Sequence, residues 1–360
     1  MNVSLARGQV NNMRMRYSAD NMAEGWTYSK AGVNIDKKSS SIESLVEELK
    51  YKRSGFGQMV HKSGLFASLI DFGDRYVTLA TDGVGTKILI AEELGIWDTI
   101  GIDCIAMNVN DTICVNAAPI SFVDYIAIDR PDEKVTKEVG KGLNRGAELS
   151  DMEIVGGEIA VLPEIVNGLD LSGTCMGVVG KDEIITGETC EKGDLIVALK
   201  SSGVHSNGLT LARKVVEANN IKMTDSVSGL TKSIGKELLT PTEIYVKEVL
   251  SITKAHEVHG LVDITGGGLR NILRMAKGLK YVIDDPVKPQ PIFEVLRQLG
   301  NIGTEEAYQT FNMGMGFAII APEDEAESIA KENANAKVVG RVEEGNGVYF
   351  APEKILYDHY

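Results

Sequence analysis

The run Thr81-Asp82-Gly83-Val84-Gly85-Thr86-Lys87 closes a β-rich stretch at 76–80 and puts a carboxylate, two glycines and a lysine at one strand end. Glycines let a backbone approach an anion, an exposed Asp suits a hard cation such as Mg²⁺, and Lys offers a compact charge to phosphate oxygens. Read as an ordinary Asp-Gly turn, the same run would do no chemistry. A second acidic group falls in a helical pattern at 99–116, where Asp103, Met107 and Asn110-Asp111 recur about once per turn and share a side. The Asn110-Asp111 pair is either a hydrogen-bonded structural pair or a metal-facing carboxylate. Glu158 follows a short strand at 153–155. With Asp82 and Asp111 it makes three carboxylates at element ends, enough for one or two Mg²⁺ ions with bound phosphate.

Further on, Ser201-Ser202-Gly203-Val204-His205-Ser206-Asn207-Gly208 leads from a strand into a helix at 209–219, whose first amides favour an anion. His205 is the one histidine set among hydroxyls, which makes it a candidate to give or take a proton; otherwise the run is a capping loop with Ser206 or Asn207 as the cap. Thr265-Gly266-Gly267-Gly268, between an apolar run at 260–264 and a helix at 269–277, repeats the strand, glycine loop, helix arrangement without the ending of a P-loop or the dinucleotide fingerprint. His256 and His259 lack a matching Cys or Glu-x-x-His partner and read as surface or helix-end residues.

These residues must be held by a chain of 360 residues, 43% hydrophobic, which is too long for one ordinary core and implies two domains. A net charge of −14 without a basic block argues against a nucleic-acid partner. Cys104, Cys114, Cys175 and Cys190 are far apart, which fits reduced thiols in a core. The absence of a long apolar run or a signal-like start points to a cytoplasmic protein without a membrane span. Residues 1–27 read as a flexible extension, with Met22 a possible working start. Strand patterns at 76–80, 121–128, 153–155 and 171–179 alternate with helices at 99–116 and 133–149, a mixed α/β first domain at 28–187. A turn-rich stretch then leads to a strand at 194–199 and a second alternating domain at 188–350, with a tail at 351–360.

Taken in order, Tyr28 to Asp36, Ser54-Gly55-Phe56-Gly57, TDGVGTK at 81–87, Asp98 to Asp103, Met107-Asn108-Val109-Asn110-Asp111, Val155-Gly156-Gly157-Glu158, SSGVHSNG at 201–208, Ile264 to Gly268 and Thr310 to Gly316 closely resemble phosphoribosylformylglycinamidine cyclo-ligase, or aminoimidazole ribonucleotide synthetase. The resemblance covers 28–350. It implies a two-domain α+β architecture whose N-terminal sheets pair in a homodimer. It also implies ATP-dependent conversion of formylglycinamidine ribonucleotide to 5-aminoimidazole ribonucleotide, ADP and phosphate.

On that resemblance ATP would be held by Lys30, Gly55, Gly57, Asp82, Gly83, Thr86, Lys87, Asn110, Asp111 and Glu158, with Mg²⁺ on Asp82, Asp111 and Glu158. The substrate would meet Ser201, Ser202, His205, Asn207 and Thr265, Gly266, Gly267 and Gly268, and His205, Lys87 and Asp82 would carry catalysis. The chain departs from the family where Asp263 replaces a histidine before Ile264, where Ile159 replaces a threonine, and in a shortened loop at 53–57. The alternatives are a sibling ATP enzyme, such as thiamine-monophosphate kinase or formylglycinamidine ribonucleotide synthetase, or a nucleotide-binding partner without catalysis. Selenophosphate synthetase is disfavoured, since no cysteine precedes Cys104.

Overall fold

Alternation is strict along residues 169–180: Leu169, Leu171, Gly173, Cys175, Gly177 and Val179 are buried while the residues alternating with them are less so, the mark of a strand with one face on a core. The computed structural model describes residues 25–33, 35–60 and 65–359, so most of the expected extension, residues 1–24, lies outside the described residues. The first sheet comprises β1 (Met59–Val60), β2 (Ser68–Asp71), β3 (Arg75–Gly83), β4 (Ala118–Ile128), β5 (Glu153–Val161) and β6 (Leu169–Gly180), in the order β1-β2-β3-β6-β4-β5. Within this sheet, among the described residues, only β4 and β5 run parallel; the crossover between them is a helix, as a parallel pair requires.

With this sheet go α1 (Ile35–Glu48), α2 (Lys87–Leu94), α3 (Ile100–Ile113) and α4 (Glu133–Ser150). Asp132 caps α4 by accepting the Lys134 and Val135 N–H groups at 2.9 and 3.1 Å, a contribution of about 1 kcal/mol. The helix stops at Asp151, which adopts a left-handed φ of 52°. Helix α3 is buried nearly all round, polar Asp103, Asn108, Asn110 and Thr112 included, because it lies between the first sheet and the second domain. Asn108 is matched toward β3, and Asp103 Oδ1 and Asn110 toward the second domain.

The second sheet holds β7 (Leu195–Lys200), β8 (Gly260–Asp263), β9 (Leu279–Ile283), β10 (Met315–Ala321), β11 (Ala336–Glu344), β12 (Gly347–Phe350) and β13 (Ile355–Tyr357), ordered β13-β12-β9-β11-β7-β10-β8. Strand β10 is buried along its whole length, as its unbroken run Phe317-Ala318-Ile319-Ile320-Ala321 suggests. Its helices are α5 (Leu209–Ala218), α6 (Ile234–Leu238), α7 (Val246–Ala255), α8 (Pro291–Gly300), α9 (Thr304–Thr310) and α10 (Glu323–Glu332). Two expectations are corrected. The sheet extends past residue 350, since β13 pairs with β12. The helix expected at 269–277 is a 3₁₀ turn, Gly268–Arg274, wedged by buried Arg270 against the Gly267 and Gln309 carbonyls.

Cys104, Cys114, Cys175 and Cys190 are buried free thiols. No helix among the described residues is long and apolar enough to cross a membrane.

Candidate active site

Asp82 stands at the end of β3, where the chain leaves the sheet. Its backbone is held from α3: Asn108 Oδ1 accepts the Asp82 N–H at 2.9 Å and Asn108 Nδ2 donates to Asp82 O at 3.2 Å. Its own Oδ1 accepts the Gly83 N–H at 2.7 Å. Gly85 turns the loop with a φ of 68°, a region that L side chains rarely adopt, and α2 begins at Lys87.

Asp111, on the last turn of α3, shares an electrostatic environment with Asp82 and with Asp263, a residue outside the expected ligand set. Loss of water lifts the Asp111 carboxyl to about 7, with Arg274 pulling it down and Asp82 pushing it up. Burial holds Asp263 well above the usual carboxylate range, and the charges of Asp111 and Asp82 add to that. Asp263 lies at the end of β8, against α3: its N–H donates to Cys114 Sγ at 3.2 Å, and that thiol donates to Asn110 O at 3.3 Å. Burial thus disfavours charge on Asp111 and Asp263, Asp82 adds to that and Arg274 opposes it, an imbalance that a bound cation would relieve. Asp263 stands out in the sequence only as a departure from the family before Ile264, and Arg274 carries no motif signal; their approach in space links them to Asp111.

Glu158 is not part of this group. The expected short strand at 153–155 runs on to Val161 as the edge of the sheet, so Glu158 sits within β5 and not at its end. Register places Asp82, Gly173, Asp124 and Gly157 in one row across β3, β6, β4 and β5, and Gly83, Ser172, Tyr125 and Glu158 in the next. Neighbouring rows face opposite sides, and three strand spacings amount to about 14 Å. Asp82 thus shares the helix-covered face with buried Thr78 and Ala80, and Glu158 shares the open face with Tyr125. Gly55 and Gly57 are also remote: Gly57 N–H donates to Asp71 O beside the start of β3, six residues or roughly 20 Å from Asp82.

Two residues expected at the phosphate are engaged elsewhere. Lys87 is wholly buried, donating to Asp103 Oδ1 at 2.8 Å and to Thr240 O at 2.7 Å; burial pushes its ammonium down, partly offset by Asp103. Asn110 is the structural half of its pair, with Nδ2 donating to Glu243 O at 2.9 Å and Oδ1 accepting the Tyr245 N–H at 3.2 Å. Thr86 meets Thr210 Oγ1 at 3.0 Å across the domain boundary.

The two glycine-containing loops of the second domain do converge. A Cβ on Gly266 would lie 3.1 Å from Asn207 Oδ1, and Asn207 Nδ2 reaches Met107 Sδ on α3 at 3.7 Å. Gly268 has a φ of 54° and no room for a Cβ against the Tyr308 carbonyl. Thr265 Oγ1 accepts from buried Asn271 at 3.0 Å. Ser201 and Ser202 reach Gln290 and the Pro241 carbonyl. His205 has a φ of 63° and is buried, with Nε2 accepting the Ser202 N–H at 3.3 Å. Burial first, and Lys87 nearby second, push its imidazole down to about 3. Burial thus favours the neutral ring of the expected proton carrier, and its bond from Ser202 ties it into its own loop. The segment carrying Lys30 docks beside it: Tyr28 N–H donates to Glu306 at 2.7 Å, and the Tyr28 hydroxyl is in hydrogen-bond contact with the Gly208 backbone. His256 and His259 pair with carboxylates, Glu325 and Asp194.

Comparison with known proteins identifies the family and the fold. Residues 66–179 match the model of the AIR synthase related protein, N-terminal domain, and residues 191–351 that of the C-terminal domain. Fold and site together define a two-domain protein of the AIR synthase related class. The phosphoribosylformylglycinamidine cyclo-ligase of Methanococcoides burtonii is 50% identical over 319 residues, 88% of this chain and 95% of that one. The same enzyme of Methanosarcina barkeri is 49% identical over 319 residues, again 88% and 95%. The chain belongs to the phosphoribosylformylglycinamidine cyclo-ligase family, and its reaction is the ring-closing ligation of purine biosynthesis. The solved structure described as AaThiL complexed with AMPPCP and TMP covers 91% of this chain and 99% of its own, with a TM-score of 0.63 and 18% identity. That likeness is one of fold, so it lends nothing to the kinase alternative.

Proposed function

We propose that formylglycinamidine ribonucleotide and ATP meet between the two domains, beside the Asp82 loop, the end of α3, the end of β8 and the 201–208 loop. The observation that carries this reading is placement: Asp82 ends β3 and is held by Asn108 of α3, Asp111 lies on the last turn of α3, and Asp263 ends β8 against that helix. Hard carboxylate oxygens that already disfavour one another suit Mg²⁺, and among the described residues no group of three His, Cys, Asp or Glu is shaped to hold a metal by itself. An ion completed by phosphate oxygens and water fits that arrangement. Asp82 and Asp111 would hold it, and the ion when bound would neutralise charge developing on the transferred phosphoryl group.

The formyl amide oxygen of the substrate takes the γ-phosphoryl group, with ADP leaving; the amidine nitrogen then bonds to that carbon, and phosphate leaves as the imidazole closes. Asn108 fixes Asp82, the Thr265 to Gly268 turn and Asn207 bound the substrate side, and buried His205 shapes the 201–208 loop. Lys30, on the segment seated near Gly208, has its Nζ donating to Gly25 O at 2.9 Å and would supply positive charge toward phosphate on leaving that bond. The binding of AMPPCP, a nucleotide analogue, by AaThiL supports a nucleotide at this fold.

The open face of the first sheet, with Leu79, Val123, Tyr125 and Val155 all more than 40% exposed, supports a homodimer joined through it. Such pairing turns Glu158 toward the second copy and away from Asp82 of its own chain. Purified protein given formylglycinamidine ribonucleotide, ATP and Mg²⁺ is expected to release ADP and form the aminoimidazole product; phosphate release without that product would overturn the assignment.

A further inference from the structure

Segment 240–245 carries no motif, yet it is held from two sides. From the first domain, Lys87 Nζ donates to Thr240 O at 2.7 Å and to Asp103 Oδ1 at 2.8 Å. Thr242 donates to that same Asp103 oxygen twice, from N–H at 2.7 Å and from Oγ1 at 2.6 Å. Asn110, two turns further along α3, holds Glu243 O and the Tyr245 N–H. From the second domain, Ser202 Oγ donates to Pro241 O, Ser206 Oγ lies 3.2 Å from Thr242 Oγ1, and the Glu243 N–H points at His205 Nε2 from 3.5 Å. The segment is thus a physical layer between α3 and the His205 loop.

The centre of this arrangement is dry. Neither Lys87 nor Asp103 exposes any side-chain surface, and Asp103 Oδ2 has no hydrogen-bond partner among the described residues, so all of that carboxylate's bonding runs through Oδ1. Separating a buried pair leaves an uncompensated charge in a low dielectric, so displacement of Lys87 must carry Asp103 and Thr240 with it. Lys87 also opens α2 directly after the 83–86 loop. Whatever shifts that loop shifts the start of the relay.

We propose that Lys87, Asp103 and Thr242 are positioning residues that couple the glycine loop at 83–86 to the substrate loop at 201–208, with Lys87 acting through segment 240–245 and without touching phosphate. The inference rests on the proposed reading of those two loops as the nucleotide and substrate sides of the site.

The test varies ATP and formylglycinamidine ribonucleotide separately in steady-state assays of the full chain. Thr242→Val removes only the hydroxyl, while Thr242→Ser keeps it. Thr242→Val is expected to lower kcat/KM for formylglycinamidine ribonucleotide about tenfold, the size of one lost bond to a charged group, and to leave KM for ATP within about twofold. Thr242→Ser is expected to restore the wild-type values. Lys87→Met is expected to show the same split, and the double variant Lys87→Met/Thr242→Val to lose much less than the product of the two. A rise in KM for ATP alone, additive losses, or a serine variant as impaired as the valine one would overturn the proposal. Should Lys87→Met fail to fold, the valine and serine pair decides by itself. Wild-type protein that makes no aminoimidazole product would instead refute the underlying assignment.

Discussion

Asn108 grips the backbone of Asp82 from both sides, accepting its N–H at 2.9 Å and donating to its carbonyl at 3.2 Å. A third bond, from Nδ2 to Cys104 O at 2.8 Å, fixes the amide itself, and the side chain is fully buried. The backbone from which the Asp82 carboxylate projects is therefore fixed by a residue with no exposed surface of its own. Asn108→Ala is expected to lower kcat by about tenfold to a hundredfold and to destabilise the fold by about 1–3 kcal/mol through unpaired backbone groups. Kinetics and urea titration check the two effects separately; an unaltered kcat would show that Asp82 needs no such support.

Asp82→Asn addresses the metal reading directly. Turnover is expected to fall by about a hundredfold or more, as for loss of a group that stabilises transition-state charge. The melting temperature should hold or rise, since Asp111 and Asp263 lose a repulsive neighbour. A near-normal rate at saturating Mg²⁺ would remove Asp82 from the ion.

His205 gives the protein an acid-sensitive element. Its imidazole is pushed down to about 3 by burial and by Lys87, against an ordinary value near 6.5. Between those values the unfolded chain binds a proton that the folded chain refuses. The contribution is therefore fully present above pH ~6.5 and is lost at about 1.4 kcal/mol per unit as the pH falls toward 3. His205→Asn, which tolerates the left-handed φ of 63°, should show a shallower acid loss of stability than wild type. Parallel denaturation curves at pH 7 and pH 5 measure this, and equal slopes would contradict it.

The exposed apolar row on the first sheet makes a prediction about assembly. Leu79→Asp together with Val123→Asp puts charge on the open face while leaving the buried face untouched. Sedimentation should then report a monomer where wild type gives a dimer, because a desolvated, unpaired carboxylate is costly in any interface. A wild-type chain that sediments as a monomer would refute the pairing.

Much of this architecture was legible in short stretches. The period-two pattern of Leu169 to Val179 and the helical pattern of 133–149 are local properties, and each appears within a residue or two of where it was expected. Gly156-Gly157 misled, because two glycines resemble a strand ending, whereas an edge strand paired on one side to β4 accommodates them. Lys87 misled for another reason: a lysine after a glycine loop suits phosphate, and nothing near it in sequence shows that Asp103 and Thr240 will enclose it.

The order of motifs from Tyr28 to Gly316 and the alternation of strands and helices were fixed by the chain itself, since both depend on residue type at spacings of a few positions. Which carboxylates come to share a neighbourhood was decided only by folding. Register across four strands turned Glu158 to the face opposite Asp82, while the packing of α3 against β8 brought in Asp263 from the other domain. Coulomb energy depends on distance and dielectric through space, and neither quantity is written in sequence separation.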